Sequence, residues 1–208
     1  MKDKELWKFA LVLSLFTIFY NILEGLFSVY FGAKDETLAL FGFGIDSFIE
    51  VLSGLGIFYM IIRTLRNKER NFNFEKVALK TTGTSFYILS IGLTLSVFVN
   101  LVIGNKPETT FWGIIISIIS IIVMYILIKL KLYVGKKLNS DAIIADAYCT
   151  KTCLYLSFIL LLSSLLYESL KISYIDSIGA LGISYFSFKE GKESFEKASK
   201  EYCECELD

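Results

Sequence analysis

The chain has 208 residues, is 54% hydrophobic, contains one proline and balances 21 basic against 21 acidic side chains. That is too apolar for a soluble domain, and the apolar residues come in long runs, so the composition points to a membrane protein. Zero net charge without a basic, aromatic-interleaved patch argues against nucleic-acid binding, and the absence of histidine excludes the usual catalytic triads and histidine-rich metal sites.

The start, MKDKELWKFALVLSLF, has the charge and core of a signal peptide. The apolar run continues to Gly32 with no small-residue cleavage site, so it reads as a first spanning helix. A span needs about 20 mostly apolar residues. Six stretches meet or approach that: roughly 9–32, 38–62, 79–103, 111–130, 142–167 and 174–188. The last is short and rich in glycine and serine. Seventeen of the 21 Lys and Arg fall before the first stretch, between the second and third, between the fourth and fifth, or after the sixth. The positive-inside rule then predicts an all-α membrane protein of six spans with both termini cytoplasmic. Residues 1–190 form the membrane domain, and 191–208 a short charged cytoplasmic tail with a Cys-x-Cys motif, Cys203 and Cys205.

The first stretch carries Thr17, Asn21, Glu24 and Ser28, spaced to make one polar stripe. The second carries Asp46 and Glu50, four residues apart and so on one helix face, between Gly42 and Gly54. The glycines thin that face and admit a close neighbour. Ionisable groups at bilayer depth are costly and mark ion paths or polar cavities, so two acids in register read as a divalent-cation site. The fifth stretch, SDAIIADAYCTKTCLYLS, puts Asp146, Cys149 and Cys153 within about 60° of arc at 100° per residue. Counting 1.5 Å per residue, the thiols lie very roughly 12–18 Å from one end of their helix and the acids a similar distance from the other, which brings the two pairs to one level. Two carboxylates and two thiolates suit Zn²⁺, or Cd²⁺, better than Mg²⁺ or Ca²⁺. Packing alone would also account for two small cysteines. Lys151, on the far side of the same helix, needs an acid or a wet cavity. Asp176 is placed to cap the sixth helix. The acidic tail with Cys203 and Cys205 reads either as a capture site for a soft cation or as a disordered terminus.

With these residues in place the chain resembles the cation diffusion facilitator family. The resemblance rests on IDSFIEVLSG in the second stretch, ADAYCTKTC in the fifth and DSIGALGIS in the sixth. It implies a six-helix membrane domain whose transport site uses Asp46 and Glu50, with Cys149 where the family has histidine and Cys153 where it has aspartate. Asn21, Glu24 and Asp146 would support that site or line the ion path. The family's cytoplasmic metal-binding domain has no counterpart in these residues, so the sequence looks like a membrane-domain-only branch. The resemblance further implies export of a divalent transition metal in exchange for protons, and a homodimer in the plasma or inner membrane. Zn²⁺ leads as the cargo, with Cd²⁺, Co²⁺ and Fe²⁺ behind it. The chain is read as a transporter rather than an enzyme, with no cofactor. Two other readings stand beside it: a membrane metal binder or scaffold without turnover, and a thiol-redox protein using the cysteine pairs. Cysteines four apart on a regular helix are poorly placed for a disulfide.

Overall fold

A computed structural model describes residues 2–66, 72–103, 107–172 and 174–203. Over them the chain forms six helices and no strand: α1 (Lys2–Lys34), α2 (Leu38–Leu65), α3 (Phe72–Ile103), α4 (Phe111–Leu138), α5 (Asp141–Leu170) and α6 (Tyr174–Cys203). Hydrocarbon offers no hydrogen-bond partners, so a chain this apolar satisfies its backbone within helices. Five helices contain segments long and apolar enough to cross a membrane: Lys4–Lys34, Leu38–Leu65, Lys80–Ile103, Phe111–Leu138 and Asp146–Leu170. α6 is not among them, because its second half carries Lys189, Glu190, Lys192, Glu193 and Glu196.

Side-chain placement is inverted relative to a soluble bundle. Phe19, Phe27, Leu95, Phe98, Ile122, Phe158 and Leu162 face outward, whereas Ser14, Thr17, Asn21, Glu24, Asp46, Ser120, Lys131 and Ser157 are buried. An apolar jacket around a polar interior is what a lipid solvent selects.

The principal pairs are α1 with α2, α3 with α6 and α4 with α5. α2 is the hub, since it also touches α3, α5 and α6. Small residues set the close approaches. A Cβ at Gly44 would lie 2.7 Å from the Val29 amide nitrogen, and one at Gly32 would lie 2.5 Å from that of Phe41, so the α1 and α2 backbones touch. α3 and α6 meet where Gly83 faces Gly191, beside the stacked rings of Tyr87 and Phe195. Ser120 and Ser157 join α4 to α5 at 2.8 Å.

One apolar cluster spans Ala39, Leu40 and Phe43 of α2, Leu89 and Leu93 of α3, Leu160 of α5 and Ile183 of α6. It fills the half of the bundle where α2 and α6 begin. At that end two acids cap helices other than their own. Thr37 precedes α2 without a side-chain cap. Asp176 of α6 accepts instead from the Leu38 and Ala39 amides, at 2.8 and 3.3 Å. The expectation that Asp176 caps α6 is thus corrected: its carboxylate turns sideways onto the free N–H groups of α2. Glu168 of α5 likewise accepts from the Thr110 amide at the start of α4, at 3.1 Å.

The sequence reading ends the sixth helix at 188, but α6 runs on to Cys203. Its buried small residues Ala180, Ser184, Ser187, Gly191, Ser194 and Ala198 alternate at spacings of four and three, a seam that packs on α3. Of the proposed Cys-x-Cys motif, Cys205 lies outside the described residues.

Candidate cation site

A cavity opens in the other half of the bundle, between α1, α2, α3, α5 and α6. Its wall includes Thr17 and Asn21 of α1, Asp46, Glu50 and Ser53 of α2, Thr82 of α3, Asp146, Cys149 and Thr150 of α5, and Glu190 and Ser194 of α6. Asp46 is 2% exposed and accepts a bond of 3.3 Å from Ser187 of α6. Glu50 accepts from the Asn21 amide nitrogen at 3.0 Å. The Asn21 carbonyl oxygen is buried without a partner. Each acid therefore retains lone pairs that these bonds do not use, and they face a polar hollow.

The remaining expected residues divide. Asp146 lines the cavity and is ion-paired with Lys131 of α4 at 2.8 Å. Glu24 is buried but does not line the cavity; it accepts from Tyr20 at 2.8 Å and Ser47 at 3.1 Å. It is a polar link between α1 and α2. Lys151 is exposed, with its ammonium 5.7 Å from the centre of the Tyr155 ring. An outward-facing ring meets its need for a partner.

The two thiols part company. Cys149 lines the cavity with Asp46 and Glu50. Cys153 is 4% exposed within an apolar cluster that includes Leu13, Ile61, Met124 and Leu127, and it bonds the Cys149 carbonyl at 3.1 Å. The reason lies in the α5 face. Buried Thr150, Cys153, Ser157, Leu160 and Ser164 recur at three- and four-residue spacings, and this seam packs against α4. Cys153 belongs to it, whereas Cys149 stands just outside. Among the described residues, no three Cys, Asp or Glu side chains stand close enough to enclose an ion as they are now oriented.

Sequence reasoning missed two charged residues. It counted Lys131 with a loop, yet Lys131 is 2% exposed inside α4. The sign was present: Met124, Leu127, Lys131 and Val134 share one buried face at spacings of three, four and three. It ended the sixth span at 188 and gave Glu190 no role, and the small-residue seam of α6 was the overlooked signal there.

The family model for cation efflux transmembrane domains matches residues 10–201. The chain belongs to that family. Its relatives are consistent. An uncharacterised transporter of Methanocaldococcus jannaschii is 27% identical over 80% of this chain and 60% of its own length. The manganese efflux system protein MneP of Bacillus subtilis is 26% identical over 86% of this chain and 64% of its own. Transmembrane protein 163 of Xenopus laevis is 27% identical over 85% and 62%. The chain thus spans about three fifths of these relatives' length. Membership together with the apolar helices makes it a multi-pass membrane protein.

Proposed function

We propose that this protein exports a divalent transition-metal cation across the plasma or inner membrane through the α2–α5 cavity. The observation that carries this is the pair Asp46 and Glu50, two acids with lone pairs to spare that line a polar hollow inside an apolar-jacketed bundle. Asp46, Glu50 and Cys149 become its ligands when their side chains swing together around the ion, since they do not enclose one as now oriented; Asn21 orients Glu50, and Asp146 flanks the path. Cys153 joins the shell only if α5 turns toward the cavity. Glu24 acts from behind, through Ser47 and α2.

The distribution of basic segments supports cytoplasmic termini and, with them, α6 as a sixth crossing. The cavity then opens inward, while the apolar cluster around Phe43 closes the outer half. Alternating access would open that cluster. Proton exchange fits a site whose donors release protons as metal binds, and the family resemblance supports a homodimer.

Zn²⁺ is the cargo if the Cys149 thiolate enters the shell. Mn²⁺ is the second reading: apart from Cys149, the polar side chains that line the cavity are carboxylates, hydroxyls and an amide, whose oxygens suit Mn²⁺, and one relative is named for manganese efflux.

Proteoliposomes holding a metal-sensitive dye test this across Zn²⁺, Mn²⁺, Co²⁺, Cd²⁺ and Fe²⁺, with and without a pH gradient. Flux that Asp46→Ala abolishes is expected. Tight binding without flux would instead identify a metal binder. Redox turnover lost in Cys149→Ser but not in Asp46→Ala would identify a thiol enzyme.

A further inference from the structure

Lys131 is an ammonium buried inside the helix bundle, and the carboxylates of the cation site do not need it for their hydrogen bonds. It stands seven residues before the end of α4, ~10 Å from that end at 1.5 Å per residue, and level with Asp146 near the start of α5. Its Nζ lies 2.8 Å from Asp146 Oδ2 and donates to Thr150 Oγ1 at 2.9 Å. Both partners line the cavity that holds Asp46 and Glu50. Lys131 is also near enough for its charge to act on Glu50. The described wall of the cavity carries four carboxylates, Asp46, Glu50, Asp146 and Glu190, and no basic side chain of its own.

A buried ion pair adds little to stability, because desolvation offsets its attraction, and apolar residues of similar size would hold α4 to α5 as well. In a membrane helix such a charge calls for a functional account. The geometry points to Lys131 as the built-in counter-ion of the cation path: by neutralising Asp146, its ammonium keeps that acid from holding the passing metal. The inference rests on the cation-path reading above. Of the three carboxylates on α2 and α5, Asp46 and Glu50 are then the ion-holding pair and Asp146 the acid already matched with a positive charge; Glu190 of α6 stands apart from this division. A site with a further unmatched negative charge would bind a divalent ion more tightly and release it more slowly. Lys131 sets binding strength against turnover, and it does so as a positioning residue that never touches the ion.

The test uses the full chain. Mn²⁺ and Zn²⁺ binding is measured by calorimetry in nanodiscs, and flux in proteoliposomes. Lys131→Gln is expected to tighten binding by roughly a few hundredfold, the effect of one unit charge ~10 Å from a divalent ion at an effective dielectric near 20, and to lower maximal flux by a similar factor. Lys131→Arg, which keeps the charge, falls between the two. Adding Asp146→Asn to Lys131→Gln removes the freed acid and returns the affinity toward wild type. A merely structural pair would leave both affinity and maximal flux of Lys131→Gln within twofold of wild type, and that result overturns the inference. So does a double variant that keeps the tightened affinity. If Lys131→Gln does not fold, Asp146→Asn decides: the unmatched ammonium should weaken binding of the divalent ion by roughly a few hundredfold, and unchanged binding refutes the idea. Wild-type protein that binds metal without flux defeats the transporter reading, while the affinities still test the counter-ion.

Discussion

Asp176 and Asp46 are both buried aspartates of one bundle, at 1% and 2% exposure, yet their surroundings assign them opposite tasks. Asp176 accepts two backbone amides at the start of α2. Asp46 accepts one serine hydroxyl at 3.3 Å and faces a cavity. Glu168 sides with Asp176, since the Thr110 amide, Thr109 and Lys171 occupy its oxygens. Glu50 sides with Asp46. A carboxylate offers about four acceptor positions. Where helix N-termini fill them, the acid ties helices together; where one donor does, it can still bind an ion. Burial alone does not separate the two kinds of acid; the nature of the donors does.

Substitutions can break this comparison or sharpen it. The largest effect is expected at Asp46. Asp46→Asn should keep the fold and cut metal flux about 100-fold or more, read by dye influx in proteoliposomes. Asp176→Asn should do the reverse. It should retain flux in the folded fraction but lower stability by about 1–2 kcal/mol through a weakened cap, read by thermal unfolding in detergent. If Asp176→Asn stops flux in protein of unchanged stability, the division between the two ends is wrong.

Asn21→Ala comes next. It removes the donor that orients Glu50, so apparent metal affinity should fall about 10-fold with little change in unfolding temperature. Gly44→Ala forces a methyl against the Val29 amide. The α1–α2 contact should open at a cost of about 1–3 kcal/mol, and Asp46, two residues on, should lose its alignment, seen as lower flux and lower stability together. The smallest effects concern the thiols. Cys149→Ser should change the Zn²⁺ to Mn²⁺ flux ratio more than Cys153→Ser does, because only Cys149 lines the cavity. The opposite order would mean that α5 rotates during transport and carries Cys153 into the path.

Much of this protein was legible along the chain. Long apolar runs forced helices, because a lipid-embedded backbone has no other way to bond its polar groups. Asp46 and Glu50, four residues apart, had to share a face, and a glycine at either end of that face marked where neighbours come close. Asn21 and Asp146 stood out as costly polar groups within apolar surroundings. These inferences need only local periodicity, which a sequence carries.

What periodicity leaves open is which neighbour each face meets. Cys149 and Cys153 differ by about 40° on a helical wheel, too little to tell one wall from the next. The packing of α5 on α4 turned Cys153 into an apolar seam and left Cys149 at the cavity. Asp176 looked like a cap for its own helix until the docking of α6 brought it to the bare N–H groups of α2. Lys131 looked like a loop charge until α4 and α5 closed around it and supplied Asp146. Helix formation depends on residues a turn apart, so the sequence alone determined the helices and the acid pair. The role of each buried charge depends on partners that only the assembled bundle brings within hydrogen-bond distance.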